Sequence, residues 1–302
     1  MVRGMSSETL FDFGDPTPQG GDLRTAAGLQ ALMTLRGVGS GRAVKLASAF
    51  GSSEAFNAAS PEARRRAAGT AVEGTVTVVD VIWPDTQIAV GYFDDTYPVA
   101  LRSISDPPAV VTIRGSLPAT RSVAVVGTRT PTPWGAEMAS AIARDAVEAG
   151  LSVVSGLALG VDIAAHRAAV KAGGITVAVL GSGLDAISPR QHLRDAEEIV
   201  SSGGCLVTEQ SPGTTASART LVARNRLQTA LSLGTVVVQC GATSGTMSTA
   251  EYALKQGRQL AVPVPPEAER SRPECSGSES LTGRGVRRLA NRADLQEFLA
   301  GL

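Results

Sequence analysis

Residues 121–166 read RSVAVVGTRT PTPWGAEMAS AIARDAVEAG LSVVSGLALG VDIAAH, and this stretch decides the fold. Residues 123–126 are a short continuous apolar run, the mark of a buried strand. Thr132 offers a side-chain oxygen as a helix N-cap, Pro133 suits the first helical position, and Gly150 ends that helix. A second strand follows at 153–154, then a helix over 162–172 closed by Gly173 and Gly174. The alternation continues, with strands at 176–180, 206–208, 236–238 and 259–262 and helices at 195–201, 224–231 and 248–256. Short apolar strands separated by helices predict a Rossmann-like, doubly wound α/β fold whose mainly parallel sheet is covered on both faces. Such sheets bind ligands at the carboxyl ends of their strands, near a topological switch point.

The polar loops all fall at those ends. Gly127-Thr128-Arg129 follows the first strand, SGLALGVDIAAH (155–166) the second, Gly181-Ser182-Gly183 the third and GATSGTM (241–247) the fifth. Glycines admit close backbone approach, and small hydroxyl residues at a helix start donate to anions. Four such loops on one edge predict a phosphate-bearing ligand, with Arg129 as a bidentate contact. A standard dinucleotide fold is excluded: GTRTPTPWG lacks the G-x-G-x-x-G pattern, and no acidic residue ends the second strand. No G-K-[ST] occurs, so a P-loop is excluded too. Asp162 and His166 lie one helical turn apart. An acid–base pair and a capping Asp with a bracing His are both open, and the lack of a neighbouring nucleophile favours bracing. Arg224-Asn225-Arg226, with Arg219 before it, is the densest basic cluster of this region and is expected at a nucleic-acid phosphate.

Upstream, residues 1–22 are polar and contain Pro16, Pro18 and Gly20, as expected of a flexible tail. Residues 23–84 read as a small helical domain. Leu29, Leu32, Met33 and Leu35 recur at helical spacing, Gly37, Gly39 and Gly41 make a tight turn, and Ala43, Leu46, Ala47 and Phe50 form the next apolar face. This resembles a helix-hairpin-helix (or SAM-like) unit. Its glycine turn either offers N–H groups to DNA or simply packs on its neighbour. Arg64, Arg65 and Arg66 read as a solvated basic face. Residues 85–302 form the sheet domain, beginning with a strand and turn in QIAVGYFDDTYP and an extended DPPAVVTIRGSL.

Composition narrows the function. The 302 residues carry 28 Lys plus Arg against 28 Asp plus Glu, so a nucleic-acid binder that is basic over its whole surface is excluded. Aromatics are 4%, too few for base stacking to dominate recognition. Cys205, Cys240 and Cys275 are scattered and read as reduced thiols; with only His166 and His192 beside them, no metal site is expected. No apolar run approaches the ~20 residues that span a bilayer, and the N-terminus lacks an apolar signal core, so a cytoplasmic protein is expected.

The ordered motifs VAVVGTR (123–129), SGLALGVDIAAH (155–166), AVLGSGLDAISP (178–189), SPGT (211–214), ARNRLQTALSLG (223–234), SGTMSTAEYALKQGR (244–258) and AVP (261–263) resemble the DNA processing protein A family (DprA, also called Smf). The lead-in DDTYPVALRSISDPPAVVTIRGSL (94–117) resembles it as well. The resemblance implies a single-stranded-DNA-binding protein rather than an enzyme. It also implies a homodimer that protects incoming DNA and loads the recombinase RecA in natural transformation, with no cofactor. The implied contacts are Arg129, the loop with Ser155, Gly156, Leu157, Ala158 and Gly160, then Arg224, Asn225, Arg226 and the turn Ser244, Gly245, Thr246. Gly127, Thr128, Gly181 and Gly183 complete the expected phosphate edge.

Several positions depart from the family pattern. Leu221 and Val222 replace Phe-Pro, Thr243 replaces a basic residue, Gln239 replaces Glu, and the late G-x-N segment appears as Gly277-Ser278-Glu279. Each lost charge or ring is expected to weaken DNA binding, stacking alone being worth ~1–3 kcal/mol per base. The winged helix that some members append is expected to be absent. The departures keep open a nucleotide-binding sensor or a nucleoside-monophosphate-cleaving enzyme of the same superfamily. The cleavage signature P-G-G-x-G-T-x-x-E is not completed here, because Thr249 stands at the Glu position and Glu251 lies two residues beyond.

Overall fold

The computed structural model describes residues 21–79, 84 and 86–302. The tail expected at 1–22 therefore lies almost wholly outside the described residues, and the expected domain boundary falls at the edge of a second such stretch. Four helices come first, α1 (Ala26–Met33), α2 (Ser40–Phe50), α3 (Ser53–Ala58) and α4 (Pro61–Ala68). The α1–α2 turn has the expected glycine, Gly37 at φ +79°, and Arg42 Nη1 closes it by donating to the Gly37 carbonyl at 2.6 Å. In the run 64–66, Arg65 and Arg66 are exposed as expected, whereas Arg64 is not. Arg64 donates to the Phe56, Asn57 and Gly74 carbonyls and lies 4.4 Å over the Phe56 ring, so it bolts this unit together. The helical unit is not isolated: its core of Leu23, Leu29, Leu32, Leu46 and Phe56 continues into Ala109 and Val110.

The sheet begins with β1 (Gln87–Gly91), α5 (Val99–Arg102) and β2 (Val110–Gly115). Next come β3 (Ser122–Val126), α6 (Pro133–Glu148), β4 (Ser152–Ser155), α7 (Val161–Lys171), β5 (Thr176–Leu180), α8 (Leu193–Ser201) and β6 (Cys205–Thr208). The chain continues with α9 (Ala218–Ala230), β7 (Gly234–Val237), α10 (Gly245–Lys255), β8 (Gln259–Pro263), α11 (Glu267–Arg270), α12 (Ser276–Gly283), β9 (Arg287–Leu289) and α13 (Arg292–Ala300). Thr132 caps α6 from Oγ1 with Pro133 in its first turn, as expected. The helices expected at 224–231 and 248–256 start earlier, where Ser217 and Ser244 supply caps.

The nine strands form one sheet in the order β1-β2-β6-β5-β4-β3-β7-β8-β9. The strands from β6 to β9 pair in parallel, while β1 and β2 extend the β6 edge antiparallel. The doubly wound, mainly parallel architecture is therefore as read from the sequence. All five β3 residues are buried because alternate side chains serve opposite layers. Val123 and Val125 join the layer of α6, α7 and α13, while Ala124 joins that of α5 and α9. The winding reverses between β3 and β7, the switch point at which such a sheet opens a crevice.

Candidate nucleic-acid interface

At this reversal the loops that follow β3, β4 and β7 are tied to one another. Thr128 N donates to the Gln239 carbonyl at 2.7 Å, Val161 N to the Thr128 carbonyl at 3.1 Å, and Thr246 Oγ1 to the Gly127 carbonyl at 3.0 Å. Between them, with α9 as the far wall, lies a cleft of about 530 Å³. It is lined by Gly127, Thr128 and Arg129 after β3, Ala158 and Asp162 at the start of α7, and Ser244, Gly245, Thr246 and Thr249 on α10. From α9 come Ala218, Leu221, Val222, Arg224, Asn225 and Gln228. The amino end of α10, capped by Ser244 Oγ, points its positive dipole into this space.

The charged centre is Arg224, which is 4% exposed. Its Nη2 donates to the Gly156 carbonyl at 3.2 Å and lies 3.6 Å from Asp162 Oδ2. Burial pushes the Asp162 carboxyl above the ordinary range, opposed by Arg224, by the backbone N–H groups of Ala158 and Gly156 and by the Ser155 hydroxyl. Burial likewise lowers the Arg224 pKa, Asp162 opposes this, and the charge of nearby Arg129 lowers it further. A guanidinium nonetheless keeps its proton in proteins. Arg129 itself is exposed and makes no ion pair among the described residues. Two cations thus face one carboxylate. Arg224 Nε and Nη1 and Gln228 Nε2 are buried donors without a partner. Each such donor costs about 1–3 kcal/mol while it lacks an acceptor, and both residues line the cleft.

The loop after β4 is held rigidly. Leu157 has φ +58°, and its N–H donates to His166 Nε2 at 3.3 Å. That bond makes Nε2 the acceptor, so Nδ1 carries the proton and donates to Thr176 Oγ1 at 2.7 Å. The Thr176 hydroxyl in turn donates a hydrogen bond to the Val153 carbonyl. Burial drives the His166 pKa down to about 3, so the ring is neutral. His192 Nδ1 donates to the Leu157 carbonyl at 2.8 Å. His166 therefore ties the loop to the sheet, and Asp162 holds Arg224. A Cβ at Gly156 would lie 1.6 Å from Arg224 Nη1, so glycine is required for the arginine to pass.

Nine of the residues expected from the sequence line the cleft: Gly127, Thr128, Arg129, Ala158, Arg224, Asn225, Ser244, Gly245 and Thr246. Ser155, Gly156, Leu157 and Gly160 support it from behind. Gly181 packs on Leu221, and Gly183 N donates to the Thr214 carbonyl, fixing the turn before α9. Asn225 braces α10 through the Gly245 carbonyl and Ser248 Oγ. Arg226 faces elsewhere: two residues after Arg224 it emerges on the opposite side of α9, chelated by Glu209 at 2.6 and 2.5 Å. Gln239 is also removed from the cleft. Fully buried, it accepts from Thr132 N and donates to Thr132 Oγ1 and Cys275 Sγ, anchoring the start of α6. Ser278 Oγ accepts from Cys240 N, so Cys240 and Cys275, distant in sequence, share one neighbourhood with Gln239. All three cysteines are free and buried, and burial raises Cys205 to about 12 and Cys240 to about 11, which leaves them protonated. Gln228 and Thr249 went unpredicted as lining residues. Gln228 could have been found as the residue one helical turn beyond Arg224.

Among the described residues, no group of three or more His, Cys, Asp or Glu is placed to hold a metal, and no helix is long and apolar enough to cross a membrane. Fold and cleft together define a Rossmann-like protein with a crevice at its switch point that is lined by arginine, amide and hydroxyl side chains. Residues 89–300 match the family model of DNA recombination-mediator protein A, and the chain belongs to that family. It is 38% identical over 172 residues to protein Smf of Escherichia coli, covering 56% of this chain and 46% of that one. To DNA processing protein DprA of Bacillus subtilis it is 35% identical over 207 residues, 67% of this chain and 68% of the relative. The matched region thus spans about half to two thirds of these relatives. A DNA processing protein A structure from Helicobacter pylori, which addresses that protein's single-stranded DNA binding mode, superposes with a TM-score of 0.62. It is 29% identical and covers 71% of this chain and 94% of that one. The Streptococcus pneumoniae protein shares the fold at a TM-score of 0.73 and 24% identity, covering 90% of this chain and 96% of that one.

Proposed function

We propose that the switch-point cleft binds single-stranded DNA by its sugar–phosphate backbone. The observation that carries this reading is the set of unpartnered donors: Arg224 Nε and Nη1 and Gln228 Nε2, buried beside the exposed Arg129. Phosphodiester oxygens are acceptors only and carry negative charge, which is what these groups lack. Family membership, and the Helicobacter pylori relative described by its single-stranded DNA binding, support the same ligand. Val222, 41% exposed at the cleft wall, offers a base an apolar contact where the family pattern has a proline.

On this reading the protein is a binding accessory and not an enzyme. Asp162 is engaged with Arg224, His166 is locked as a neutral brace, and Glu251 pairs with Arg284 at 2.6 Å. We read residues 85–302 as the DNA-binding unit and 23–84 as an accessory helical unit. The protein acts in the cytoplasm as a homodimer, protecting the strand and handing it to a RecA-type recombinase. Fluorescence anisotropy with labelled oligo-dT and with duplex at matched salt tests the reading. Tighter binding of the single strand, steeply salt-dependent, is expected. Equal affinity for both forms overturns it.

A further inference from the structure

The DNA cleft occupies only one end of the α9–α10 seam. Gly245, Ser248, Tyr252 and Gln256 recur at helical spacing on the α10 face packed against α9, so the seam runs the length of α10, about 16 Å at 1.5 Å per residue. At its far end lies a second cavity of about 470 Å³, lined by Ser105, Asp106, Arg226, Tyr252, Lys255 and Arg258 among others. Its charges are unbalanced. Arg226 is neutralised by Glu209, with Asp106 at 3.4 Å, whereas Lys255 and Arg258 have no ion-pair partner among the described residues. Arg258 spends Nη2 on the Ala230 carbonyl, leaving Nε buried and unpartnered. Gln256 donates Nε2 to the Arg226 carbonyl, leaving Oε1 buried and unpartnered. Two cations without ion pairs, one of them carrying the orphaned donor, share the cavity with an orphaned acceptor and a tyrosine ring.

We propose that this cavity is a second nucleotide site. A phosphate meets Lys255 and Arg258 Nε, a base N–H donates to Gln256 Oε1, and the base ring lies against Tyr252. Every natural base carries an N–H donor, so no base preference follows. A lone phosphate leaves Gln256 Oε1 unsatisfied, which is why a whole nucleotide is assigned. The nucleotide arrives either free or as a unit of a strand that leaves the first cleft along the seam, and only the strand form rests on the reading of that cleft.

The test compares wild type, Lys255→Glu and the charge-matched control Lys171→Glu on the far end of α7. Both lysines are exposed, so folding is preserved. Anisotropy is read with oligo-dT of ~5 nucleotides, which fills one site, and ~20 nucleotides, which spans both. Calorimetry is read with free dTMP and dGMP. Lys255→Glu is expected to weaken the long strand alone and to lower its salt slope by about 1, with Lys171→Glu silent. Saturable mononucleotide binding abolished by Lys255→Glu supports the site with the free nucleotide as its occupant. Unchanged long-strand affinity together with no Lys255-dependent mononucleotide binding overturns the proposal. Failure of the first cleft is seen separately, as undiminished short-strand binding by Arg129→Ala.

Discussion

Acid should loosen the loop behind the cleft through His166. The ring is 1% exposed, and burial, then the charge of Arg224, hold its pKa near 3 against an ordinary value of 6.5; Asp195 opposes this and His192 adds to it. The folded-state value lies below the unfolded one, so the unfolded chain binds the extra proton. The contribution to stability is therefore complete above pH 6.5 and drains as pH falls toward the folded value. At pH 5 the unfolded histidine is almost fully protonated and the folded one is not, which removes about 2 kcal/mol. That figure barely changes for any folded pKa under about 4, so it does not depend on the exact depression. Urea unfolding at about pH 7.5 and about pH 5 measures the loss in wild type and in His166→Gln, whose amide cannot titrate. Every other titratable group is common to both proteins, so the difference between the two pH dependences isolates His166. The variant should lose about 2 kcal/mol less than wild type. An identical pH dependence in both proteins would refute the buried neutral imidazole.

Three further outcomes concern the cleft. Arg129→Ala should weaken single-stranded DNA binding and reduce the salt slope by about 1, with the melting temperature unchanged; an unaltered slope moves the phosphate elsewhere. Arg224→Ala should abolish most binding and also destabilise by about 2–4 kcal/mol, because Asp162 is left as an unpaired buried carboxylate while the relief of two orphaned donors offsets part of the cost. Calorimetric melting reads this as a fall of roughly 3–6 °C, and an unshifted transition counts against the ion pair. Gly156→Ala should displace the Arg224 guanidinium, since the added methyl meets Nη1 at 1.6 Å, and should lose DNA affinity about as severely as Arg224→Ala with native circular dichroism; full affinity sinks the steric argument.

The sheet was legible because each strand is a short apolar run and each helix announces its start, as Thr132 and Pro133 do for α6. The four loops followed from the strand ends, and the three after β3, β4 and β7 do converge. What escaped the sequence was direction. Arg224 and Arg226 look like one basic cluster, yet 100° per residue puts them on opposite faces of α9. Gln239 looked like a lost charge at the site, but it lies inside, where an amide serves both the Thr132 N–H and its hydroxyl. Arg64 looked solvated because its three carbonyl acceptors, two at the end of α3 and one at Gly74, are brought together only in the folded unit. The brace from His192 to Leu157 joins positions 35 apart, and no local pattern encodes such a pairing.

Asp162 explains how the cleft can keep unused donors. An arginine buried alone would be expelled to water by its desolvation cost. The carboxylate at 3.6 Å compensates the charge but approaches only Nη2, and the Gly156 carbonyl takes the same nitrogen. Nε and Nη1 therefore stay charged, buried and unspent. Had Asp162 formed a bidentate bridge, the guanidinium would be satisfied and a phosphate would have to break it. One-sided pairing holds the cation in place while leaving two of its nitrogens without an acceptor. Gln228, one turn further along α9, adds a neutral donor to them. On the proposed reading, a protein with no net charge binds a polyanion through a few desolvated donors, without a basic surface.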